Sequence, residues 1–556
     1  MDTNNSETEN SNNKTKHSSL YITAITLVAT LGGLLFGYDT AVISGTTSAL
    51  KSFFITPMQS NGAMAGNVIF QYKVIVTLCL LVSIILISSF MFKLFDQTKA
   101  FILSAVLVAI AFFVWYFHFW TEPNTLTEGM ANAIDGFTIS SALVGCIIGG
   151  STAGYISQAA GRRNGMLLAA ILFTISAIGS AIPETINFLQ VSVISSFIFY
   201  RVIGGIGVGI ASMITPMYIA EISPAEIRGK LVSWNQFAII FGMLLVYFVN
   251  YFIASNGSNA WLNNTGWRWM FASETIPAGL FLFLLFFVPE TPRYLVMADR
   301  DNEAKNTLLR LVGKERAGSV LSDIKSSLRH KSSAPWLSFG GLVIIVGIFL
   351  SIFQQFVGIN VVLYYAPEIF RNMGSNMDVS LLQTIIVGAV NLTFTIVAIY
   401  NVDRIGRKPL MIIGAIGMCV SMILLGFLFF AQSVGIWALL FMLLYTASFA
   451  VSWGPVTWVM LSEIFPNAIR GAMSIAVAAQ WIANLIVSWT FPMMNNSTAL
   501  NNLFHHGFAY WIYGIMGLLA AIFMWKMVPE TKERSLEEME LLWQPESEQA
   551  ANIEAE

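Results

Sequence analysis

Two kinds of side chain stand where a polypeptide ordinarily avoids them: charges and carboxamides inside long apolar runs. The stretch Leu27–Gly45, LVATLGGLLFGYDTAVISG, holds one carboxylate, Asp39. A second run, Ile198-Phe-Tyr-Arg201-Val-Ile-Gly-Gly, holds the one Lys or Arg placed well inside an apolar segment. Each charge is costly in hydrocarbon and calls for a partner, and each is the other's obvious one. Burial strengthens a carboxylate's hold on a proton, and a neighbouring guanidinium weakens it. A pair that separates therefore takes up a proton and a pair that closes releases one, which couples conformation to protonation.

The carboxamides suggest a different chemistry. Phe353-Gln354-Gln355-Phe-Val-Gly358-Ile-Asn360-Val-Val-Leu-Tyr364 packs three amides into an apolar segment. On a straight helix of about 100° per residue, Gln354 and Asn360 point roughly 120° apart. A break at Gly358 lets them converge, as broken helices at mid-membrane do in transporters. Gln236 and Gln480 add amides from other runs, and Trp458 and Phe36 add aromatic faces. Amides both donate and accept, which suits sugar hydroxyls, and an indole suits the apolar face of a pyranose. No Lys/Arg cluster awaits a phosphate or carboxylate, and no Walker-type loop awaits a nucleotide. No His/Cys/Asp set has metal or hydrolase spacing. His17, His118, His330, His505 and His506 all fall in tails, loops or interfaces. Neither an enzyme, nor a metal site, nor a cofactor is expected.

These residues need membrane helices to hold them. The 556-residue chain is 56% hydrophobic and only 11% charged, with mean hydropathy +0.69. Soluble domains carry about 25% charged residues, so the chain is read as polytopic, with the lipid bilayer as a partner. A net charge of −2 argues against nucleic acid. Fourteen apolar runs reach spanning length, the first near 19–45 and the last near 508–528. Closed barrels are excluded, because the runs are continuous rather than alternating. Cys79, Cys146 and Cys419 lie within these runs and read as packing residues. With both termini cytoplasmic, the inner loops hold Lys93, Lys99, Arg162, Arg163, Arg228, Lys230, Arg404, Arg407, Lys408 and Arg470, and 289–337 adds nine more Lys or Arg. The outer loops and their edges hold only Lys51, Lys73, Arg268 and Arg371. That asymmetry fixes the orientation. The expected organisation is a disordered cytoplasmic tail (1–18), an N-terminal bundle (19–288), a cytoplasmic linker with short helices (289–337), a C-terminal bundle (338–528) and a cytoplasmic tail (529–556).

Three signatures occur twice in the same order. Gly161-Arg162-Arg163 is answered by Gly406-Arg407-Lys408, and Glu221-Ile-Ser-Pro-Ala-Glu-Ile-Arg228-Gly229 by Glu463-Ile-Phe-Pro-Asn-Ala-Ile-Arg470-Gly471. Pro289-Glu-Thr-Pro is answered by Pro529-Glu-Thr-Lys532. Collinear repeats at nearly constant spacing mean two homologous halves. All fall at expected cytoplasmic helix ends, where Arg162, Arg163, Glu221, Arg228, Asp403, Arg407, Glu463 and Arg470 can form a charge latch that breaks when that side opens.

The doubled signatures resemble the sugar porter family of the major facilitator superfamily, as do LVATLGGLLFGYDTAVISG, YRVIGGIGVGIASM, SIFQQFVGINVVLYYAPEIF and VAAQWIANLIVSWTFPMM. The likeness covers residues 18–54 and 137–545. It implies an all-α membrane protein with the major facilitator fold, two six-helix bundles, in a bacterial inner membrane. It implies alternating-access import of D-xylose or a closely related monosaccharide together with a proton. By the same resemblance Asp39 is the proton site, Arg201 its partner, and Glu274 a further buried acid nearby. The family's sugar-binding positions match Gln236, Gln354, Gln355, Asn360, Trp458 and Gln480. Phe36, Tyr364, Asn391, Gly454 and Trp481 form a second tier. One departure is Gln158-Ala159-Ala160 before Gly161, where the family has an acidic or amide residue followed by a basic one. A weaker latch in the first half is expected there. A downhill uniporter of the same fold, and a sugar sensor without turnover, are the rival readings. The sensor lacks a large signalling domain.

Residues 55–136 have no counterpart in a twelve-helix pattern beyond a short outer loop. They contain apolar runs at 73–92 and 100–119, joined by the basic turn Lys93-Leu-Phe-Asp-Gln-Thr-Lys99. A peripheral two-helix hairpin is expected within 73–119, inserted between the family's helices 1 and 2, with Trp115, Tyr116 and Trp120 at the outer interface. An even number of added crossings leaves the remaining topology intact.

Overall fold

A computed structural model describes residues 3–187, 190–224, 227–329, 335–532 and Trp543. Side chains are described from Leu20 onward, except those of His118, Arg329, Asp403, Asn467, Ala468 and Arg470. The described residues contain helices and no strands. Thirteen helical segments among the described residues are long and apolar enough to cross a membrane, two of them, Leu342–Asn372 and Ile436–Ile464, each built from two successive helices. The expected fourteenth is present in two pieces, α8 (Trp267–Ser273) and α9 (Thr275–Leu285), each too short to span by itself. Pro277 explains the break. It has no N–H to offer the Ser273 carbonyl one turn earlier, and Glu274 sits in the gap.

The first half comprises α1 (Thr3–Val42), the hairpin α2 (Gly62–Leu94) and α3 (Gln97–Trp115), then α4 (Glu128–Ala159), α5 (Arg162–Ala181), α6 (Val193–Ile222), α7 (Arg228–Ser255), α8 and α9. Short helices α10 (Pro292–Met297), α11 (Asp301–Leu311) and α12 (Gly313–Arg329) follow, close to the periodic stretches in the linker. The second half comprises α13 (Leu342–Phe356), α14 (Ile359–Asn372), α15 (Met377–Ile405), α16 (Arg407–Phe430), α17 (Ile436–Val451), α18 (Trp453–Ile464), α19 (Met473–Asn495) and α20 (Phe508–Met527). Within the first half α6 packs on α4 and α5, and α1 on α7. Within the second, α16 packs on α20 and α13 on α19. The halves meet where α4 packs on α19 and α7 on α15.

Two expectations need correction. Residues 3–18, expected to be disordered, continue α1 as helix. They contain neither Gly nor Pro, and extending a helix already nucleated by a packed span avoids the nucleation cost. The hairpin begins earlier than its apolar run, since α2 starts at Gly62, where the Asn61 side chain caps it by accepting from Met64 N at 3.1 Å. Lys73 is therefore well inside a helix and buried, and it reaches its charge out to the carbonyls of Trp120 and Glu122 at 3.4 and 2.5 Å. Asp96 caps α3 in the same manner through Lys99 N at 2.9 Å. The C-terminal acidic tail lies outside the described residues, apart from its first four residues and Trp543.

Candidate functional site

Asp39 on α1 and Arg201 on α6 meet in the interior, with 0% and 1% of their side chains exposed. Arg201 Nη1 donates to Asp39 Oδ1 at 2.6 Å and Nη2 to the Asp39 carbonyl at 3.1 Å. The guanidinium also faces the Phe271 ring at 5.3 Å. Satisfaction is incomplete. Asp39 Oδ2 and Arg201 Nε are buried without partners among the described residues, and so are both carboxyl oxygens of Glu274. Glu274, fully buried at the α8–α9 break, lies in the electrostatic field of both Asp39 and Arg201. One guanidinium thus serves two carboxyls. Leaving a buried polar atom unpaired costs about 1–3 kcal/mol, and this cluster holds four such atoms among the described residues.

A cavity of about 1860 Å³ lies beside this cluster, between the halves. Its lining includes all six first-tier residues and all five of the second tier: Gln236, Gln354, Gln355, Asn360, Trp458 and Gln480, with Phe36, Tyr364, Asn391, Gly454 and Trp481. The break at Gly358 does what the amide spacing requires. Gly358 has φ +92°, and a Cβ there would meet the Tyr513 ring at 2.7 Å. The chain therefore turns between α13 and α14, and Asn360 Nδ2 reaches Gln355 Oε1 at 2.5 Å. Gln355 Nε2 donates to Gln354 Oε1 at 3.2 Å, and Gln354 Nε2 donates to the Trp453 carbonyl at 3.1 Å. That carbonyl starts α18, after a second break at Ser452. The relay orients three amides and leaves capacity toward the cavity. Gln480 Oε1 is buried without a donor among the described residues.

Two lining amides were not anticipated. Asn484 follows Gln480 by four residues on α19, the spacing that puts both on one helix face, and that spacing was the available signal. Asn235 precedes Gln236 and keeps its Oδ1 unpaired; the sequence pattern carried no signal for it. Deep in the cavity, Phe36 of the first half meets Trp481 of the second, with ring centroids 5.8 Å apart. The opposite end carries Arg228, Lys230 and Arg407. The cavity therefore opens toward the doubled signatures and is closed beyond the aromatic pair.

At that open end each half builds the same knot. Arg162 Nη2 pairs with Glu221 Oε1 at 2.8 Å, and Arg407 Nη2 with Glu463 Oε1 at 2.9 Å. The second carboxylate oxygen accepts from Thr291 Oγ1 or Thr531 Oγ1, each at 2.6 Å. Glu290 accepts from the N–H groups of Arg162 and Arg163, and Glu530 from those of Arg407 and Lys408. Gly161 has φ +97° and lies so close to Glu290 Oε2 that a Cβ would sit 2.3 Å from it; Gly406 is its counterpart at φ +100°. Burial pushes the Glu290 carboxyl above its ordinary range, against the pull of the surrounding N–H donors. Arg163 caps the end of α9 through the Leu285 and Phe286 carbonyls. The first-half knot forms despite Gln158-Ala159-Ala160, because none of its bonds uses those side chains. Every described pair lies within one half. Arg228 is exposed and makes no described ion pair, and the Asp403 and Arg470 side chains lie outside the described residues.

Comparison with known proteins decides the family. The model of the family described as "Sugar (and other) transporter" matches residues 25–543. The chain belongs to the sugar transporter family. Among its relatives, the D-xylose-proton symporter of Escherichia coli K12 is 52% identical over 546 residues, covering 96% of this chain and 98% of that protein. The inward-open structure of the xylose transporter XylE from E. coli superposes with TM-score 0.75 at 51% identity, covering 94% of this chain and 100% of that one. XylE bound to 6-bromo-6-deoxy-D-glucose gives 0.70 at 51% identity, covering 95% and 100%. The fold is that of the major facilitator superfamily, with the α2–α3 hairpin added.

Proposed function

We propose that this chain imports D-xylose, or a closely related monosaccharide, together with a proton, by alternating access across a bacterial inner membrane. The observation that carries the reading is the juxtaposition of an under-satisfied Asp39–Arg201–Glu274 cluster with an amide-lined cavity. On α1 only two residues separate Asp39 from Phe36, which lines that cavity. Similarity to a D-xylose-proton symporter over nearly the whole chain supports the substrate and the coupling.

In the form described, Asp39 is engaged by Arg201 and the cavity faces the doubled signatures. The Lys/Arg distribution makes that face cytoplasmic, so both termini and the linker 289–337 are cytoplasmic, between bundles 19–288 and 338–528. Moving α6 relative to α1 withdraws the guanidinium and loads Asp39 with a proton. Restoring the pair expels the proton, with Glu274 as the second carboxyl in reach. Sugar hydroxyls bind Gln236, Gln354, Gln355, Asn360 and Gln480, with Trp458 against the ring. Closure of the cytoplasmic face brings Arg228, Asp403 and Arg470 toward the Arg162–Glu221 and Arg407–Glu463 knots, completing the latch. The test is radiolabelled uptake into sealed vesicles, with a pH gradient imposed and removed, across D-xylose, D-glucose, D-galactose and L-arabinose. Uphill D-xylose uptake only with the gradient is expected. Uptake indifferent to the gradient overturns the coupling, and preference for another sugar overturns the substrate.

A further inference from the structure

The α2–α3 hairpin is the part of the molecule that the transport cycle does not use. It is not a free appendage. Along α2 one face is turned inward: Val68, Ile69 and Tyr72 are buried, and Ile75, Val76, Cys79, Leu86, Phe90 and Leu94 pack partly against the core. Spacings of three, four and seven residues put these on a single stripe running the length of the helix. The outer helix α3 buries only Ala100. It is tied to α2 by Trp115 Nε1 donating to Thr77 Oγ1 at 2.7 Å, so the two helices move as a unit.

This stripe lies over the seam between the halves, and its two ends hold different partners. At the end away from the signatures, Gln71 Oε1 accepts from Ser192 N at 3.0 Å and from Ser192 Oγ at 2.6 Å, which fastens it to the first half. One residue on, Tyr72 sets its ring edge-on to Phe137 of α4 at 5.6 Å and to Trp489 of α19 at 6.5 Å. There α4 and α19 are in close contact, with Trp489 Nε1 bonded to the Ala133 carbonyl at 2.9 Å. At the signature end, Phe90 lies 6.5 Å from the Trp336 ring and Lys93 Nζ sits over it at 5.1 Å. Trp336 precedes α13 and packs beside Gly471, so it belongs to the second half.

We propose that the hairpin is a strap across the seam, fastened to the first half at Gln71 and Tyr72 and hooked to the second at Trp336, and that it favours the form with the cavity open to the signature end. Alternating access requires the two signature ends to approach and the opposite ends to part. Gln71 holds the strap on the first half, while the Tyr72–Trp489 contact at one end and the Phe90–Trp336 contact at the other reach the second half, so these two must loosen for the cavity to close. The Phe90–Trp336 rings lie near the outer limit of aromatic contact and Lys93 is exposed, so each interaction contributes at the low end of its range. Losing the Trp336 hook should therefore shift the ratio of open to closed forms by roughly three- to tenfold toward closed.

This inference rests on the alternating-access reading, and one experiment separates the two. Spin labels at Lys230→Cys and Tyr400→Cys, with the native cysteines replaced by alanine, report the width of the cavity mouth in nanodiscs with and without D-xylose. If alternating access fails, the unmodified protein shows a single distance under all conditions. If it holds, two distances appear and their ratio is the readout. Trp336→Ala is expected to favour the short distance by three- to tenfold. Gln71→Ala with Tyr72→Ala is expected to do the same, and the combination to add little, since a strap released at either end is already slack. Two populations whose ratio ignores Trp336→Ala overturn the strap, as do fully additive effects at the two ends. Lys93→Gln, an exposed change that keeps the hydrophobic stripe, is the milder variant should Trp336→Ala fold poorly. It should shift the ratio two- to threefold in the same direction, and no shift counts against the hook.

Discussion

Replacing Asp39 by Asn tests the coupling at its centre. Asparagine keeps the shape and can still accept from Arg201, but it cannot carry the transported proton. With one proton per sugar, a pH difference of one unit supplies about 1.4 kcal/mol, or roughly tenfold accumulation at equilibrium. The Asp39→Asn protein should equilibrate sugar and stop, at an accumulation ratio of one. Sugar affinity should change little. Asp39 does not line the cavity, and residues without shared partners usually couple by less than about 0.5 kcal/mol, or about twofold in Kd. Removing one member of a buried ion pair ordinarily costs about 3–5 kcal/mol. Glu274 lies in the field of the same guanidinium and can take over as counter-charge, so the loss of stability should fall well below that range. The assay is uptake of radiolabelled D-xylose into proteoliposomes, interior alkaline by one unit, with calorimetric binding measured in parallel. A variant that still accumulates sugar tenfold refutes the assignment. So does one whose binding is lost while its fold is intact.

Other expectations follow from neighbouring geometry. Gln480→Ala removes the unpaired buried acceptor of the cavity, and calorimetry should show sugar affinity weakened by about 1–3 kcal/mol, or five- to 150-fold, with thermal stability unchanged or raised. Gly358→Ala forces a side chain into φ +92° and against Tyr513. At about 1–2 kcal/mol for the backbone plus the clash, a lower melting temperature and loss of both binding and uptake should be seen. In the loop after α5, burial works upward on Glu184, but its bonds to Arg268 prevail and hold the carboxyl below its ordinary range. That stabilisation is present above the ordinary carboxylate pKa and is lost as pH falls through the depressed folded value. Glu184→Gln should therefore lower stability by at most about 1 kcal/mol at neutral pH, and melting curves of the two proteins should converge in acid. Cysteines introduced at Ser319 in α12 and at Asn264 before α8 should react with impermeant maleimide from opposite faces of intact cells, Asn264 from outside.

Much of this architecture was legible because its causes are local. Apolar runs of spanning length and a doubled set of signatures suffice for an all-helical membrane protein built from two related halves. The lone charge in each of two runs pointed to the Asp39–Arg201 pair. Gly358 was readable as a break because three amides could converge only if the helix turned there. What escaped the sequence depends on packing. Pro277 marks the α8–α9 break in retrospect, but proline inside a membrane helix often leaves it continuous. Nothing in Asn235 distinguishes a cavity amide from one that joins helices. The partners of α2 are set by side chains over a hundred residues away, Ser192, Trp336 and Trp489, so the strap had no trace in its own sequence.

The meeting of Phe36 and Trp481 bears on speed. The partition between substrate and far side is, at that point, a pair of rings from opposite halves with no hydrogen bond between them. Parting these two rings strands no donor, whereas the same seam also holds Tyr247 Oη donating to the Leu363 carbonyl at 3.0 Å and Trp489 Nε1 donating to the Ala133 carbonyl at 2.9 Å. The slow act of opening that side is then assigned to those two bonds, whose donors and carbonyls must find water, while the rings part at little cost and the knots, each held within one half, ride along unbroken.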